Sequence, residues 1–402
     1  MSEYALMHKD LMISRFVIEN NEVTEWVLPK DKRLLMHLPL PLKRVVHFLN
    51  GGYIQQESTK TISINEEGTW LLESWLRDRA IPKYRDNLHK YTRKNTFQFL
   101  MTNNSLSLTD CYWTRLTCDK LSWNQVKLFN SNRIESLGTV LNNLRIYNYY
   151  SNVNAALGGQ LEKFWYYTKT DKDAKVTKLY KRVAPENNML AIREVIASKI
   201  YERLGYRNLC KYSYARDSKG LVVGCKCNAF TSESLELITA YDLLEEYGRT
   251  QSDTIYDDII NLAGNYGVNK AAVRTQLDIQ TLVDYLITNR DRHQNNIGFL
   301  RNSDTLEIVS IAPIFDSGSC AALEDQAPLG VTNTSVHNLY NTEMECLQHV
   351  SNINILDLSK LPEKRWIKNQ LMEMYNANEY SVQKYLSLYL DKIDYIRKLQ
   401  TN

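Results

Sequence analysis

Apolar and polar positions in the second half of the chain follow the spacing of strands in some stretches and of helices in others. Three pairs of strand-like runs flank short polar loops, as expected of β-hairpins: 164–169 with 176–183, 209–215 with 221–227, and 297–301 with 306–311. Apolar residues recur at helical spacing in 185–204, from 240 to 286, in 364–375 and in 381–399. This order predicts an α+β fold in which a small antiparallel sheet lobe is followed by a helical lobe.

The first 145 residues carry a weaker pattern. Residues 69–79 are predicted to form a helix, and Trp70, Trp75 and Trp113 are expected in a core because large aromatic side chains are usually buried. No catalytic constellation occurs in this part. We therefore predict an accessory domain of mixed structure at 1–145, with a boundary near 142–152. A domain at 150–402 would follow, with an N-terminal lobe at about 150–230 and a C-terminal lobe at about 231–402.

The polar stretch before the last hairpin carries the clearest chemistry. Asp291 is followed five positions later by Asn296, and Asp316 stands in F-D-S-G after an apolar run. A kinase catalytic loop uses this spacing to place a carboxylate on the acceptor hydroxyl and an amide oxygen on magnesium, and a second acidic residue completes the metal site. The pattern predicts a phosphoryl-transfer centre. The alternative for Asp291 and Asn296 is a polar turn that caps the preceding helix.

Residues upstream of this loop are candidates for holding a nucleotide. Gly158 and Gly159 would let the backbone approach a phosphate, although a Gly-Gly turn between strands is often only a turn. Among the lysines of 176–183, strand alternation places Lys181 on the face of the apolar residues and Lys178 on the other face. Lys181 is thus predicted to reach the α- and β-phosphates, with a solvated strand lysine as the alternative.

Further residues complete the predicted site. Glu194, in the helix that follows, would pair with Lys181 as a helix glutamate does in kinases, although the helical wheel places it on the flank of the apolar stripe, where a surface glutamate is the alternative. Asn228 and Phe230 stand at the end of the strand between the lobes, where the backbone would meet adenine. His293 could hydrogen-bond the transferring phosphate, but a role in fixing the loop backbone is favoured.

The strings D-R-H-Q-N-N at 291–296 and A-P-I-F-D at 312–316 resemble the HipA family of bacterial serine/threonine protein kinases. The resemblance covers roughly residue 157 to the C-terminal helices. It implies a kinase-like fold, ATP and magnesium as cofactors, a protein substrate phosphorylated on Ser or Thr, and an antitoxin or regulatory partner. The family carries a regulatory serine at the start of the glycine-rich loop, where this chain has Ala156, so control by such a serine is not expected.

Two other classes of function stay open at this point. Phosphatidylinositol kinases share the D-R-H-x-x-N string, so a lipid or small-molecule kinase is one alternative, but the basic cluster that would meet anionic head groups is not apparent. A nucleotide-binding pseudokinase that acts through a partner is the other. The presence of every acidic and amide position that the chemistry requires argues against it.

Composition and charge exclude several classes of protein and indicate a location. The net charge of +3 over 402 residues is too small to indicate nucleic-acid binding, and no stretch of 18 apolar residues predicts a membrane span. Seven cysteines do not form a disulfide framework, and Cys225 and Cys227 are predicted to be strand residues rather than metal ligands. The start of the chain lacks the apolar stretch of a signal peptide, so a cytoplasmic location is expected.

Overall fold

The computed structural model describes residues 2–47, 52–84, 86, 88, 95–129, 159, 161–169, 175–247, 252–318 and 339–401. Strands and helices are numbered in chain order within these ranges. The predicted domain boundary at 142–152 and the loop 170–174 lie outside the described residues. The domain limits therefore stay a prediction.

The N-terminal part is built on a six-stranded antiparallel sheet with the strand order β4-β5-β3-β2-β1-β6. Its strands are β1 (Ser2–His8), β2 (Leu11–Glu19), β3 (Glu22–Pro29), β4 (Ile54–Glu57), β5 (Thr61–Ile64) and β6 (Tyr112–Leu116). Asn20 and Asn21 connect β2 to β3 with φ of 52° and 69°. A two-residue type I′ hairpin turn needs positive φ at both positions, and Asn adopts it more readily than most residues.

Five helices accompany this sheet in the described part of the chain: α1 (Lys32–Met36), α2 (Leu40–His47), α3 (Glu66–Arg79), α4 (Thr96–Thr102) and α5 (Trp123–Val126). Helix α3 begins where the Asn65 side chain accepts a hydrogen bond from the Gly68 amide, an N-cap that satisfies one free donor of the first turn. Trp113 is fully buried as predicted, but the expectation for Trp70 is wrong. Trp70 lies on the outer face of α3 and is 64% exposed, because Leu72 and Leu76 provide the face that packs on the sheet.

A four-stranded antiparallel sheet follows, with the order β7-β8-β10-β9. It consists of β7 (Glu162–Lys169), β8 (Lys175–Arg182), β9 (Ser213–Arg216) and β10 (Val222–Asn228), so both predicted hairpins form. Helix α6 (Met189–Arg203) packs on this sheet, with Ile192 and Ile196 in one buried cluster with Val222 and Cys225.

The remainder is mostly helical. The helices are α7 (Ala240–Tyr247), α8 (Ile255–Asn265), α9 (Lys270–Ile287), α10 (Glu343–Gln348), α11 (Lys364–Leu371) and α12 (Glu379–Thr401). The predicted hairpin after the catalytic loop is β12 (Gly298–Asn302) and β13 (Ile308–Ile311), and a third strand, β11 (Leu235–Thr239), pairs with β12. Together with the antiparallel sheets, these helices confirm the predicted α+β class. In the described ranges no helix is long and apolar enough to span a membrane.

The N-terminal sheet packs on both of the other sheets. One buried apolar cluster joins Trp113 and Trp123 to Trp165 of β7, and Leu179 of β8 packs against it. A buried polar contact joins Glu236 of β11 to β1 and to the residue directly before β6, since its carboxylate accepts hydrogen bonds from His8 and from the Cys111 amide. The N-terminal sheet is therefore in contact with β7 and β8 of the four-stranded sheet and also with β11.

Candidate active site

Lys181 lies at the centre of the candidate site. Strand β8 holds it on the side of the sheet that faces α6, and its side chain is buried, whereas Lys178 on the same strand is partly exposed. The ammonium donates to Glu194 Oε1 and to Asp316 Oδ1, the latter at 2.7 Å, and lies 5.0 Å from the centre of the Tyr212 ring. Burial would lower the pKa of Lys181, but the Asp316 and Glu194 carboxylates outweigh burial and raise it.

Glu194 belongs to the interior of the site and not to the surface of α6. One carboxylate oxygen contacts Lys181 and the other accepts the backbone amide of Ser317 at 3.0 Å. The chain passes very close here, because a Cβ atom on Gly318 would lie 2.5 Å from Glu194 Cγ and 2.8 Å from the Leu190 carbonyl oxygen. Glycine at 318 thus permits the segment after Asp316 to pack against α6.

Asp316 has a left-handed backbone with φ of 54°, which turns its carboxylate back toward β7 and β8. Oδ1 contacts Lys181 and Oδ2 lies 3.8 Å from Lys163 Nζ, while 35% of the side chain is exposed. Burial alone would raise the pKa of Asp316, but the two ammonium groups hold it well below the usual range of a carboxyl group. The carboxylate is therefore ionised at neutral pH and exposed on one side. The region between Asp316 and the loop that carries Asp291 is called the cleft below.

The loop that carries Asp291 begins at the end of α9. Asn296 Nδ2 donates to the Asp291 carbonyl oxygen at 2.6 Å, which closes the loop on itself. His293 Nε2 lies 3.8 Å from Asp291 Oδ1 and 3.5 Å from Asn296 Nδ2. The structure therefore brings Asp291, His293 and Asn296 together, with the Asp291 carboxylate 45% exposed at the surface of the cleft.

Arg292 connects this loop to the segment around Asp316. The guanidinium is buried, binds both carboxylate oxygens of Asp284 at 2.7 and 3.1 Å, and donates to Ser317 Oγ at 2.7 Å. It also donates to the carbonyl oxygens of Asn296 at 3.0 Å and Phe315 at 2.7 Å. Burial opposes its charge, but the Asp284 carboxylate raises the pKa of Arg292 above its usual value. The sequence analysis did not identify Arg292 as a site residue, although its position between Asp291 and His293, two predicted site residues, was a signal for such a role.

The remaining predicted residues lie just before β7 and at the end of β10. Gly159 has φ of 86°, and a Cβ there would meet Lys163 Nζ at 2.6 Å; Gly158 lies outside the described residues. Asn228 is exposed at the end of β10. The next amide, of Ala229, donates to the Thr177 carbonyl oxygen at 2.9 Å. The ring of Phe230 lies 5.6 Å from that of Phe315, so it adjoins the segment that carries Asp316.

The oxygen ligands present at the site fit a magnesium ion that is also bound by phosphate oxygens. The described residues contain no cluster of three or more His, Cys, Asp or Glu side chains that could hold a metal. Magnesium in nucleotide sites is bound by one or two protein oxygens, phosphate oxygens and water, so such a cluster is not required. Asp316 presents an ionised carboxylate, and Asn296 uses its amide nitrogen in the loop, so that its amide oxygen is the atom that a metal ion would contact.

The chain was compared with protein-family models, with curated proteins and with solved structures. No protein-family model matches the chain. The serine/threonine-protein kinase CtkA of Helicobacter pylori is 35% identical over 104 residues, which cover 25% of this chain and 31% of CtkA. The crystal structure of an H. pylori proinflammatory kinase CtkA covers 60% of this chain and 94% of its own, with 17% identity and a TM-score of 0.39.

The Shewanella oneidensis MR-1 toxin–antitoxin system, solved as HipA and HipB with their operator DNA, provides a match along the whole chain. It covers 99% of this chain and 99% of its own, with 11% identity and a TM-score of 0.51. An identity this low shows the fold alone. The predicted resemblance is confirmed at that level: the chain is HipA-like in fold and is related in sequence, over one quarter of its length, to a serine/threonine-protein kinase.

Proposed function

We propose that the protein transfers the γ-phosphoryl group of ATP, with magnesium, to a Ser or Thr hydroxyl of a protein substrate. One arrangement carries the proposal: the Lys181, Glu194 and Asp316 side chains meet in one buried cluster, and Arg292 joins it to the loop that bears Asp291 and Asn296. Phosphoryl transfer needs charge neutralisation and positioning more than covalent chemistry from the protein, and this arrangement supplies both.

Two lysines would neutralise the phosphates. Lys181 is fixed by Glu194, and Lys163 lies directly across the hairpin from it, at the register position paired with Lys181. Both ammonium groups face Asp316. Asp316 and Asn296 would hold magnesium, which when bound neutralises the charge on the phosphate oxygens. The Asp316 carboxylate suits this task because part of it is exposed to the cleft.

Asp291 is the residue proposed to act on the acceptor. Its carboxylate is exposed and lies on a loop whose backbone is closed by Asn296, so it can orient a hydroxyl group and accept its proton. The segment after β10, with Asn228 and Phe230, would offer backbone groups and an aromatic ring to adenine. His293 is proposed to hold the loop, because its ring contacts both Asp291 and Asn296.

The sequence similarity to a serine/threonine-protein kinase favours a protein acceptor over a lipid or small molecule. The antitoxin partner expected from the family resemblance stays a prediction.

Incubation with radiolabelled ATP, magnesium and cell lysate tests the proposal. We expect a labelled protein band whose label is stable to acid, as the phosphate esters of Ser and Thr are, and is identified as phosphoserine or phosphothreonine after acid hydrolysis, and no band with the Asp316→Asn variant. A label found in the lipid or small-molecule fraction would reassign the acceptor. Absence of any transfer, together with absence of nucleotide binding, would overturn the proposal.

A further inference from the structure

Lys392 is a buried lysine that lies outside the cluster around Lys181. It belongs to the C-terminal helix α12, and its side chain is 1% exposed. The ammonium donates to the Tyr285 carbonyl oxygen at 2.8 Å, to Thr288 Oγ1 at 2.8 Å and to Glu343 Oε1 at 2.6 Å. An ammonium group has three donors, so these acceptors use all of them.

Two of these acceptors belong to the end of α9, which is the start of the catalytic loop. Thr288 has a left-handed backbone with φ of 57°, and the amide of Asn289 turns back to donate to the Asp284 carbonyl oxygen at 2.8 Å. A β-branched residue is strained in this conformation, which persists only where its surroundings hold it. The direction in which the chain leaves α9 toward Asp291 is therefore set at Thr288.

An ammonium group suits this position for an electrostatic reason. The last carbonyl groups of a helix lack their usual intrahelical donors and carry partial negative charge, and Lys392 adds a charged donor to the Tyr285 carbonyl oxygen, which also accepts the Thr288 amide at 3.2 Å. Burying an ion pair costs several kcal/mol of desolvation, and well-packed apolar side chains are often as stable. Stability alone does not call for a charge here, whereas holding the Thr288 hydroxyl and the Tyr285 carbonyl in place does.

We propose that Lys392 is a positioning residue for the catalytic loop. By binding Tyr285, Thr288 and Glu343 together, it holds the left-handed turn at Thr288 and so presents Asp291 to the acceptor hydroxyl. The C-terminal helix is then a part of the catalytic apparatus, about 100 residues along the chain from the loop that it positions. This inference rests on the proposed function of Asp291.

The test replaces Lys392 without leaving Glu343 as an unpaired buried carboxylate. In the double variant Lys392→Met with Glu343→Gln, we expect kcat for phosphoryl transfer to fall about 10-fold to 100-fold, since displacement of a catalytic group by an ångström has effects of this size. The affinity for magnesium–ATP, measured by calorimetry, should change much less than kcat because Lys181 and Asp316 are untouched and Asn296 of the loop would supply only one of the magnesium ligands. Lys398→Met, on the exposed side of the same helix, is the matched control and should alter neither quantity.

A third substitution separates positioning from general destabilisation. Glycine adopts the left-handed conformation without strain, so Thr288→Gly added to the double variant should recover part of the lost kcat. A purely structural role for Lys392 predicts that kcat per folded molecule does not fall in the double variant, so that there is nothing to recover. A fall in kcat per folded molecule that Thr288→Gly does not reverse in part would contradict the proposal.

Amide hydrogen exchange provides a readout that does not depend on activity. In the double variant the peptide covering 284–296 should exchange faster than in the wild type, while the Lys398→Met control should match the wild type. Unchanged exchange and unchanged kcat in the double variant would overturn the positioning role. If the wild-type protein transfers no phosphate, the proposed function fails, and the exchange measurement still decides what Lys392 does to the loop.

Discussion

Two ionic clusters in this protein are built from similar buried ion pairs but differ in how far their acidic groups are exposed. The cleft cluster consists of Lys181, Glu194 and Asp316, and the interface cluster consists of His8, Glu236 and Arg301. In the interface cluster, Glu236 and Arg301 are 0% and 1% exposed. In the cleft cluster, Lys181 and Glu194 are equally buried, but Asp316 is 35% exposed.

The partners of the two acidic groups differ as well. Glu236 accepts from Arg301 Nε and Nη2 at 2.9 and 2.6 Å, from the Cys111 amide at 2.7 Å and contacts His8 Nε2 at 3.1 Å. Its lone pairs are thus occupied by donors from both the N-terminal sheet and β12. Asp316 is instead balanced by two lysine ammonium groups and faces the cleft.

This difference distinguishes a carboxylate that only holds parts of the fold together from a carboxylate that can bind a ligand. A carboxylate enclosed on all sides by fixed donors can only hold those donors together, which is the role of Glu236 between β1, β6 and β12. A carboxylate that contacts two lysine ammonium groups and is open on one side can bind a metal ion on that side, beside phosphates that the lysines would bind. The comparison predicts opposite responses of the two clusters to the same kind of substitution.

The largest expected effect is on catalysis in the cleft cluster. Asp316→Asn removes the charge proposed to bind magnesium, so phosphoryl transfer should fall roughly 1000-fold or more, which is about 4 kcal/mol of transition-state stabilisation. The thermal midpoint should stay near that of the wild type because Lys181 keeps Glu194. Transfer rates and thermal unfolding, with the exposed Asp394→Asn as control, check both parts. Near-normal transfer would remove Asp316 from the metal site.

The reverse pattern is expected in the interface cluster. Glu236→Gln leaves the Arg301 guanidinium buried without its carboxylate, so the free energy of unfolding should fall by about 3 to 5 kcal/mol. The rate of transfer per folded molecule should not change. Denaturant unfolding measures the loss, and Glu379→Gln, which disrupts an exposed ion pair, should leave stability nearly unchanged. A loss of transfer without a loss of stability would erase the distinction between the clusters.

Lysine substitutions on β8 sharpen the account of the cleft. Lys181→Ala should weaken magnesium–ATP binding about 10-fold to 100-fold, because a charged hydrogen bond contributes about 1.5 to 3 kcal/mol. Lys178→Ala on the other face of the strand should leave the affinity unchanged. Calorimetric titration of both variants with magnesium–ATP measures the two affinities, after circular dichroism shows that each variant is folded. Equal losses would contradict the assignment of strand faces.

The smallest expected effect is the dependence of stability on pH at His37, whose Nδ1 lies 2.9 Å from Nδ1 of His8 in the interface cluster. Burial, with the charges of His8, Arg301 and Lys43, lowers the pKa of His37 from 6.5 to about 4, against a smaller opposing effect of Glu236. The unfolded chain therefore binds a proton at His37 more readily than the folded chain. The stability that this provides is present above pH 6.5 and is lost as the pH falls toward 4.

Thermal unfolding between pH 7 and pH 4.5 should show this loss, and His37→Gln should make the curve flatter in that window. The same curve for both proteins would assign the acid sensitivity to other groups.

What could be predicted from the sequence was mostly local. Strand alternation placed Lys181 on the buried face of β8, since neighbours on one strand decide that orientation. The helix, loop and hairpin around Asp291 also follow from neighbouring residues, and the later part of the chain shows them in the expected order.

What was missed depends on contacts between distant parts of the chain. The helical wheel places Glu194 on the flank of its helix. Its burial depends on Ser317, which donates to it from 123 positions away along the chain. Arg292 gains its role from Phe315 and Ser317, and the interface cluster joins His8 to Glu236 across 228 positions. Strand β11 and the exposure of Trp70 likewise depend on which surfaces meet in the folded chain, and periodicity carries no information on that choice.

Asp291 is proposed to act on the acceptor hydroxyl, while the cleft cluster holds the nucleotide and metal. The most direct test is calorimetric titration of magnesium–ATP beside a transfer assay, both on one preparation of Asp291→Ala and of the wild type. We expect nearly unchanged affinity and a fall in turnover of roughly 100-fold to 10,000-fold, since a positioned general base contributes mainly in the transition state. If affinity collapses together with turnover, Asp291 is a metal or structural residue and the division of roles is wrong.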